Sequence, residues 1–286
     1  MLAACLPVGC DPSDTGVLPA DSWLADRTAA GWRTSEVAEC PPYIAAALRK
    51  PDESIDGPGP YRIRLGIREG AGVRILKEWS REDGYYILAE PRFYTAMGNR
   101  CPVLGFRRCH GDNAWAGERL SLFELDGSRV TGILPRLRAD WPVTEVRDVD
   151  GDGTTELLVL DDDYEFYAWC CHAASPGCFH VFRWDAGGRE FMDRSADYPA
   201  FYESAIAGLR AQMTGAPEDN DEGGSFIGSA VEILLHYSCM GRAQEGWRGF
   251  EKDLAVLRES VSPSRLKEIA EVEADLKRRL KIDSAR

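Results

Sequence analysis

The chain has 286 residues, of which 44% are hydrophobic, so it is long enough to bury one large core or two ordinary ones. A formal net charge of −13 opposes binding to the phosphate backbone of nucleic acids. The sequence contains no run of 18 apolar residues, so it predicts no membrane-spanning helix. The excess of acidic residues is compatible with the binding of divalent cations.

The N-terminal segment Leu2-Ala-Ala-Cys5 places two small residues directly before a cysteine. It resembles the lipobox of bacterial lipoproteins, in which the cysteine carries lipid and becomes the mature N-terminus. The resemblance implies that residues 1–5 are the remnant of a lipoprotein signal peptide and that Cys5 is lipidated. The expected location is the bacterial cell envelope, in the periplasm or on the outer surface, with membrane contact only through the lipid anchor.

Residues 6–59 are rich in prolines, glycines and acidic residues, a composition typical of turns and linkers. We therefore expect a tether followed by an irregular segment. Within this segment, the alanine-rich stretch Tyr43–Arg49 predicts a short helix.

From residue 60 to residue 197 the pattern predicts a β-rich domain, because apolar residues recur in short runs or at every second position. Asp126-Gly127 is typical of a hairpin turn. The predicted strands are Tyr61–Arg68, Val73–Trp79, Tyr85–Ala89, Val103–Arg107, Leu120–Leu125, Val143–Val146, Glu156–Leu160, Phe166–Cys170, Phe179–Trp184 and Arg189–Asp193.

From residue 198 to residue 286 the apolar period becomes 3.6, which predicts a helical module. Helices are expected over Phe201–Met213 and Ile227–Met240, around the stripe of Trp247, and from Ser262-Pro263 onward. Strands followed by helices indicate an α+β protein. The helical module is a candidate docking surface for an unknown protein or surface partner.

The strongest chemical signal is Asp148-Val-Asp-Gly-Asp-Gly-Thr-Thr-Glu156, which lies between two predicted strands. Calcium binds six to eight hard oxygen ligands, and a tightly wound acidic loop supplies them. The sequence therefore predicts one structural Ca²⁺ site. Its expected ligands are the side chains of Asp148, Asp150, Asp152 and Glu156 and the carbonyl of Thr154.

This loop resembles the calcium loop of FG-GAP or VCBS repeats, which occur in integrin-like β-propellers and many bacterial exported proteins. In that family the loop joins two strands and holds calcium as a structural staple. The resemblance covers one copy of about 14 residues and implies a partial, degenerate repeat fold for the β-rich domain.

The nine cysteines of the chain favour a disulfide framework in an oxidising compartment, and eight remain if Cys5 carries lipid. Cys101 and Cys109 flank an apolar stretch and form one candidate pair. The turn Ser175-Pro-Gly177 favours a second pair, in which Cys178 bonds to Cys170 or Cys171.

Three function classes remain open. The sequence contains no G-x-S-x-G, H-E-x-x-H, phosphate-loop or G-x-G-x-x-G motif, so we expect a non-enzymatic envelope lipoprotein that acts in binding. One alternative is an extracytoplasmic hydrolase with a site near Asp161–Asp163, His172 or His180. The other is a cytoplasmic zinc protein, whose ligands would come from Cys170-Cys-His-Ala-Ala-Ser-Pro-Gly-Cys-Phe-His180.

Overall fold

A computed structural model provides the fold. It describes residues 17–20, 22–49, 61–80, 85–87, 91–98, 101–110, 118–133, 141–161, 163–164, 167–169, 175–188, 190–213 and 224–282. Three antiparallel sheets occupy the first two-thirds of the chain and helices follow them, so the expected α+β class is confirmed.

The first sheet contains five antiparallel strands in the order β1-β5-β4-β3-β2. Strand β3 lies inside the sheet, where it pairs with the edge strand β2 on one side and with β4 on the other. The elements of this part of the chain are β1 (Val17–Pro19), helix α1 (Ala25–Ala29), β2 (Arg33–Cys40), β3 (Tyr43–Arg49), β4 (Tyr61–Glu69) and β5 (Gly72–Trp79).

The helix predicted at Tyr43–Arg49 was wrong, because this segment is strand β3. Its residues are buried on both faces: Ala45 and Ala47 pack in one core cluster, whereas Ile44 and Ala46 pack in another. A strand covered on both sides shows no period-two alternation, and tertiary packing overrides the helix propensity of alanine. The segment expected to be irregular therefore contributes two long strands.

The second sheet has the order β10-β9-β8-β6, and β7 also pairs with β8. The turn predicted at Asp126-Gly127 is confirmed, since Arg129 pairs with Asp126 and Gly127 has a positive φ of 57°. The strands are β6 (Tyr85–Ile87), β7 (Arg92–Tyr94), β8 (Val103–His110), β9 (Glu118–Asp126) and β10 (Arg129–Gly132).

The third sheet is a meander of β11 (Val143–Arg147), β12 (Glu156–Asp161), β13 (Cys178–Asp185) and β14 (Glu190–Asp193), paired in chain order. The strand predicted over Phe166–Cys170 was wrong, because Tyr167–Trp169 form a 3-10 turn. Tyr167 packs its ring against Tyr164, so these aromatic residues mark a packed connection between strands.

Four long helices follow: α2 (Pro199–Gln212), α3 (Gly224–Cys239), α4 (Ala243–Ser260) and α5 (Pro263–Arg279). Their buried faces share one core with the third sheet, in which Leu158 and Val181 join Leu234, Phe250 and other helical residues. Residue 198, the expected domain boundary, therefore marks a change of secondary structure and not the end of a core.

The chain divides into two compact units. The first contains the first two sheets apart from residues 118–120, and the second contains the third sheet and helices α2–α5. Within the described ranges, no helix is both long and apolar enough to cross a membrane.

Candidate metal site

The hairpin of β11 and β12 holds the acidic loop. Arg147 pairs with Glu156, so the chain leaves one strand and enters the next across the eight residues between them. Gly151 and Gly153 have φ values of +78° and +85°, in the left-handed region that glycine adopts without steric cost. These two glycines allow the backbone to wind tightly enough for its acidic side chains to converge.

Three carboxylates meet inside this loop. One oxygen from each of Asp148, Asp150 and Glu156 lies within 4.8 Å of the other two. The two oxygens of Asp148 accept hydrogen bonds from the backbone N–H groups of Gly151 and Gly153, at 2.7 and 2.9 Å. The loop is therefore wound around the first of its own carboxylates, and the cluster contains three of the five predicted ligands.

Glu156 is the buried member of the cluster, with no exposed surface. Its Oε2 accepts a hydrogen bond from the N–H of Val149 at 3.0 Å, but Oε1 has no hydrogen-bond partner among the described residues. Arg183 Nε lies 3.8 Å from Oε1, beyond hydrogen-bonding distance. Burial raises the pKa of Glu156, and this effect outweighs the opposing effects of the Val149 N–H, Tyr198 and Arg183. In its ionised form, Glu156 would therefore keep a buried oxygen, Oε1, without a hydrogen bond.

Arg183 on β13 binds the two predicted ligands that lie outside the cluster. Its Nη2 donates to Asp152 Oδ2 at 2.5 Å and to Thr154 Oγ1 at 3.2 Å. The Thr154 N–H and then Arg183 lower the pKa of Asp152. Arg183 was missed by the sequence analysis, because strand pairing and not sequence proximity brings it to the loop.

The donor set favours a hard cation. The clustered ligand atoms are all carboxylate oxygens, with no histidine nitrogen or cysteine sulfur among them. Such oxygens suit Ca²⁺ or Mg²⁺, whereas zinc and copper favour nitrogen or sulfur. The orphaned Oε1 of Glu156 is the observation that best fits a bound ion.

The expected pairing of Cys101 with Cys109 was wrong. Cys109 belongs to β8, which begins at Val103, directly after Cys101 and Pro102. At about 3.3 Å per residue, the six steps from Val103 to Cys109 span about 20 Å. Disulfide formation requires Cα atoms within about 7 Å of each other, so the extended strand excludes this bond.

Cys178 lies against Cys239, a residue that the sequence analysis did not select. Their Sγ atoms are 2.8 Å apart, and Cys239 Sγ is 3.8 Å from Nε2 of His180. The described residues do not include the other predicted participants, namely Cys5, Cys170, Cys171, Asp162 and His172. The disulfides, lipid anchor, hydrolase site and zinc site that depend on these residues stay predictions.

Comparison with known proteins yields no match to any family model, curated protein or solved structure. The resemblance to FG-GAP and VCBS loops therefore stays a prediction that depends on the loop residues alone.

Proposed function

We propose that the loop of residues 148–156 binds one structural Ca²⁺ ion, in a non-enzymatic binding protein of the bacterial cell envelope. The observation that carries the calcium proposal is the convergence of Asp148, Asp150 and Glu156 around a buried oxygen without a hydrogen bond. An ion bound there would be ligated by Oε1, and its charge would neutralise carboxylates that otherwise repel one another.

Calcium would act on the fold through the β11–β12 hairpin. Glu156 is the first residue of β12, and Leu157 and Leu158 directly after it are buried. An ion that fixes Glu156 would therefore fix the start of a core strand. Such a role is structural, and it requires no substrate at the loop.

Location in the envelope is supported by the lipobox resemblance at Cys5 alone. Extracellular calcium modules have dissociation constants of about 10⁻⁴–10⁻³ M, which match calcium levels outside the cytoplasm. Binding to a partner through the helical module is proposed from the amphipathic pattern of its helices.

A thermal melt in EGTA, in 1 mM Ca²⁺ and in 1 mM Mg²⁺ tests the calcium site. With a dissociation constant of ~10⁻⁴ M, calcium should stabilise the folded state by about 1.4 kcal/mol. For a unit of this size, that corresponds to a rise in melting temperature of about 3–6 °C. Magnesium, which requires near-ideal octahedral geometry, should produce a smaller rise.

The variant Glu156→Gln should melt at or above the wild-type temperature in EGTA, because it removes an incompletely bonded buried charge. It should show no rise with calcium. The matched control is Glu145→Gln, which removes an exposed carboxylate from β11 of the same hairpin. A calcium response in Glu156→Gln equal to that of the control would refute the site.

A further inference from the structure

A second cluster joins the third sheet to helix α3 and contains two cysteines and two histidines. Cys178 and His180 lie on β13, and His236 and Cys239 lie three residues apart at the end of α3. Cys178 Sγ is 3.4 Å from Nδ1 of His236, and Cys239 Sγ is 3.8 Å from Nε2 of His180. The two sulfur atoms are 2.8 Å from each other, and each lies next to one of the two imidazoles.

The distance between the sulfurs favours a thiol pair over a shared metal ion. Two thiolates on a tetrahedral zinc, each about 2.3 Å from the metal, are about 3.8 Å apart. Cys178 and Cys239 are closer than this by about 1 Å. A movement of less than 1 Å would bring them to the ~2.05 Å length of a disulfide.

The two cysteines differ in exposure and in electrostatic environment. Cys178 is buried, with 1% of its surface exposed, whereas Cys239 is partly exposed. Burial raises the pKa of the Cys178 thiol. The hydrogen bond with Cys178 and the neighbouring His180 lower the pKa of Cys239 to about 6, despite its burial. One thiol is therefore suited to attack and the other to remain protonated.

His180 is held in its protonated form by two carboxylates. Its Nδ1–H donates to Asp193 Oδ2 at 2.8 Å, and Asp161 Oδ2 lies 3.9 Å from Nε2. Burial alone would lower the pKa of His180, but the neighbouring Asp161, Asp193 and Cys239 raise it to about 11. Cys239 lies at the C-terminal end of α3, where the negative end of the helix dipole disfavours a thiolate. The positive charge of the His180 imidazolium offsets this effect.

The groups that face Cys239 come from several elements of the second unit. Those in contact with it are Cys178 and His180, and His236 contacts Cys178. Those that act on the pair from farther away are Asp161, Asp193, Tyr202 and Glu232. Three of these are carboxylates, so the positive charge of His180 is the main support for a thiolate.

We propose that Cys178 and Cys239 form a thiol–disulfide exchange site, in which Cys239 attacks a substrate disulfide and Cys178 resolves the intermediate. The thiolate of Cys239 attacks one sulfur of a disulfide RSSR, forms a mixed disulfide and releases one RS⁻. Cys178 then loses its proton, for which Nδ1 of His236 is within reach, and attacks the Cys239 sulfur. The second RS⁻ leaves as the Cys178–Cys239 bond forms.

Atoms and electrons balance across these two steps. Two cysteine thiols become one disulfide, and the two electrons reduce RSSR to two RSH, which take up the two protons. The reverse reaction requires two substrate thiols and returns the pair to its reduced form. This inference does not depend on the calcium loop, because none of its residues belongs to the loop. It would add an enzymatic activity to the binding role proposed above.

Equilibration of the purified chain in buffers of increasing oxidised-to-reduced glutathione ratio tests the pairing. After the thiols are blocked in acid, mass spectrometry of the tryptic peptides should show a Cys178–Cys239 link that increases with the ratio and disappears in excess dithiothreitol. A link from Cys178 to Cys170 or Cys171, stoichiometric zinc in the reduced protein, or a link that dithiothreitol cannot reduce would overturn the proposal.

Alkylation of the reduced protein with iodoacetamide between pH 5 and pH 9 tests the roles of the two thiols. Cys239 should reach half its maximal rate near pH 6. At pH 5.5 it should react about tenfold faster than a model cysteine peptide, whose thiol has a pKa of about 8.5.

His180→Gln should move the midpoint upward, and Asp193→Asn should move it less. Asp197→Asn, an exposed control in the next turn, should leave the midpoint unchanged. A wild-type profile that coincides with that of the peptide would overturn the assignment of Cys239 as the attacking thiol.

Discussion

Glu156 shows how one buried oxygen can indicate a ligand. Leaving a buried acceptor without a partner costs about 1–3 kcal/mol, and more when the acceptor is charged. Native proteins rarely retain such a group without a reason. At this position the neighbouring Asp148 and Asp150 add like charge, so a cation is the partner that relieves both costs.

Arg183 already supplies one positive charge at the edge of the loop. Because it binds Asp152 and lies 3.8 Å from Glu156 Oε1, it would compete with the proposed metal ion for the same carboxylates. A divalent ion would gain more from three converging carboxylates, one of them buried, than a partly exposed guanidinium does. The Arg183 guanidinium therefore binds Asp152, whereas a metal ion would bind best to the cluster of Asp148, Asp150 and Glu156.

The variant Arg183→Gln should bind calcium about three- to tenfold more tightly. It removes an electrostatic repulsion of about 1 kcal/mol between the guanidinium and the ion, and it frees Asp152 to act as a ligand. It should also be less stable than the wild type in EGTA, where the carboxylates repel one another. Isothermal titration with calcium measures the first effect and chemical denaturation measures the second. Arg183→Lys keeps the charge and is the matched control; equal or weaker calcium binding in Arg183→Gln would show that Arg183 does not compete with the ion.

At the scale of elements, β4 and β5 contain a cross-strand ion network. Arg64 of β4 pairs directly with Glu78 of β5, and Arg27 and Arg62 bind the same carboxylate. Arg64 has only 2% of its surface exposed and also donates to the carbonyl of Trp23 at 2.7 Å. The alternation of basic and apolar residues in β4 predicts a strand with one polar face, but helix α1 and its neighbours cover part of that face.

Glu78→Gln should destabilise the first unit by about 3–5 kcal/mol, because it removes the negative charge that the buried Arg64 guanidinium binds at 2.7 Å. Burial alone would raise the pKa of Glu78, but the hydrogen bonds from Arg62 and Arg64 and the charges of Arg64 and Arg27 lower it. The stabilisation is therefore complete above the unfolded-state pKa of about 4.3 and is lost as pH falls through the lower folded-state value.

Urea denaturation between pH 3 and pH 7 measures this contribution. The difference in unfolding free energy between wild type and Glu78→Gln should shrink as the pH falls below about 4. Glu69→Gln is the control, since its partner Arg74 is a more exposed residue and such pairs contribute little. A loss of stability in Glu69→Gln equal to that in Glu78→Gln would contradict this explanation.

The elements that the sequence predicted well are those in which polar and apolar residues recur with a clear period. Strand β4 and helix α4 each show a clear period, and the loop from Asp148 to Glu156 is local in sequence. Strand β3 was missed because both of its faces are buried, which removes the alternation. Arg183 and Cys239 could not be found from the sequence, because each reaches its partners through tertiary packing across many residues.

At the scale of the whole molecule, each unit has its own core. The first unit packs Leu65 and Phe106 in one cluster, whereas the second packs Leu158 with the helices. The proposed calcium loop belongs to the second unit, and the network around Glu78 belongs to the first. Local opening in a protein follows such cooperative groups of contacts, so a ligand stabilises most strongly the group that binds it.

Hydrogen exchange measured with and without 1 mM Ca²⁺ should therefore give a local response. Backbone amides of residues 143–161 should exchange about tenfold more slowly with calcium, the factor that corresponds to about 1.4 kcal/mol. Amides of β2–β5 should not change, because the ion contacts no residue of that sheet. Glu156→Gln should abolish the protection, and Glu145→Gln should retain it. Equal protection of both units would contradict local stabilisation, because it would mean that the loop and the first sheet open together as one cooperative unit.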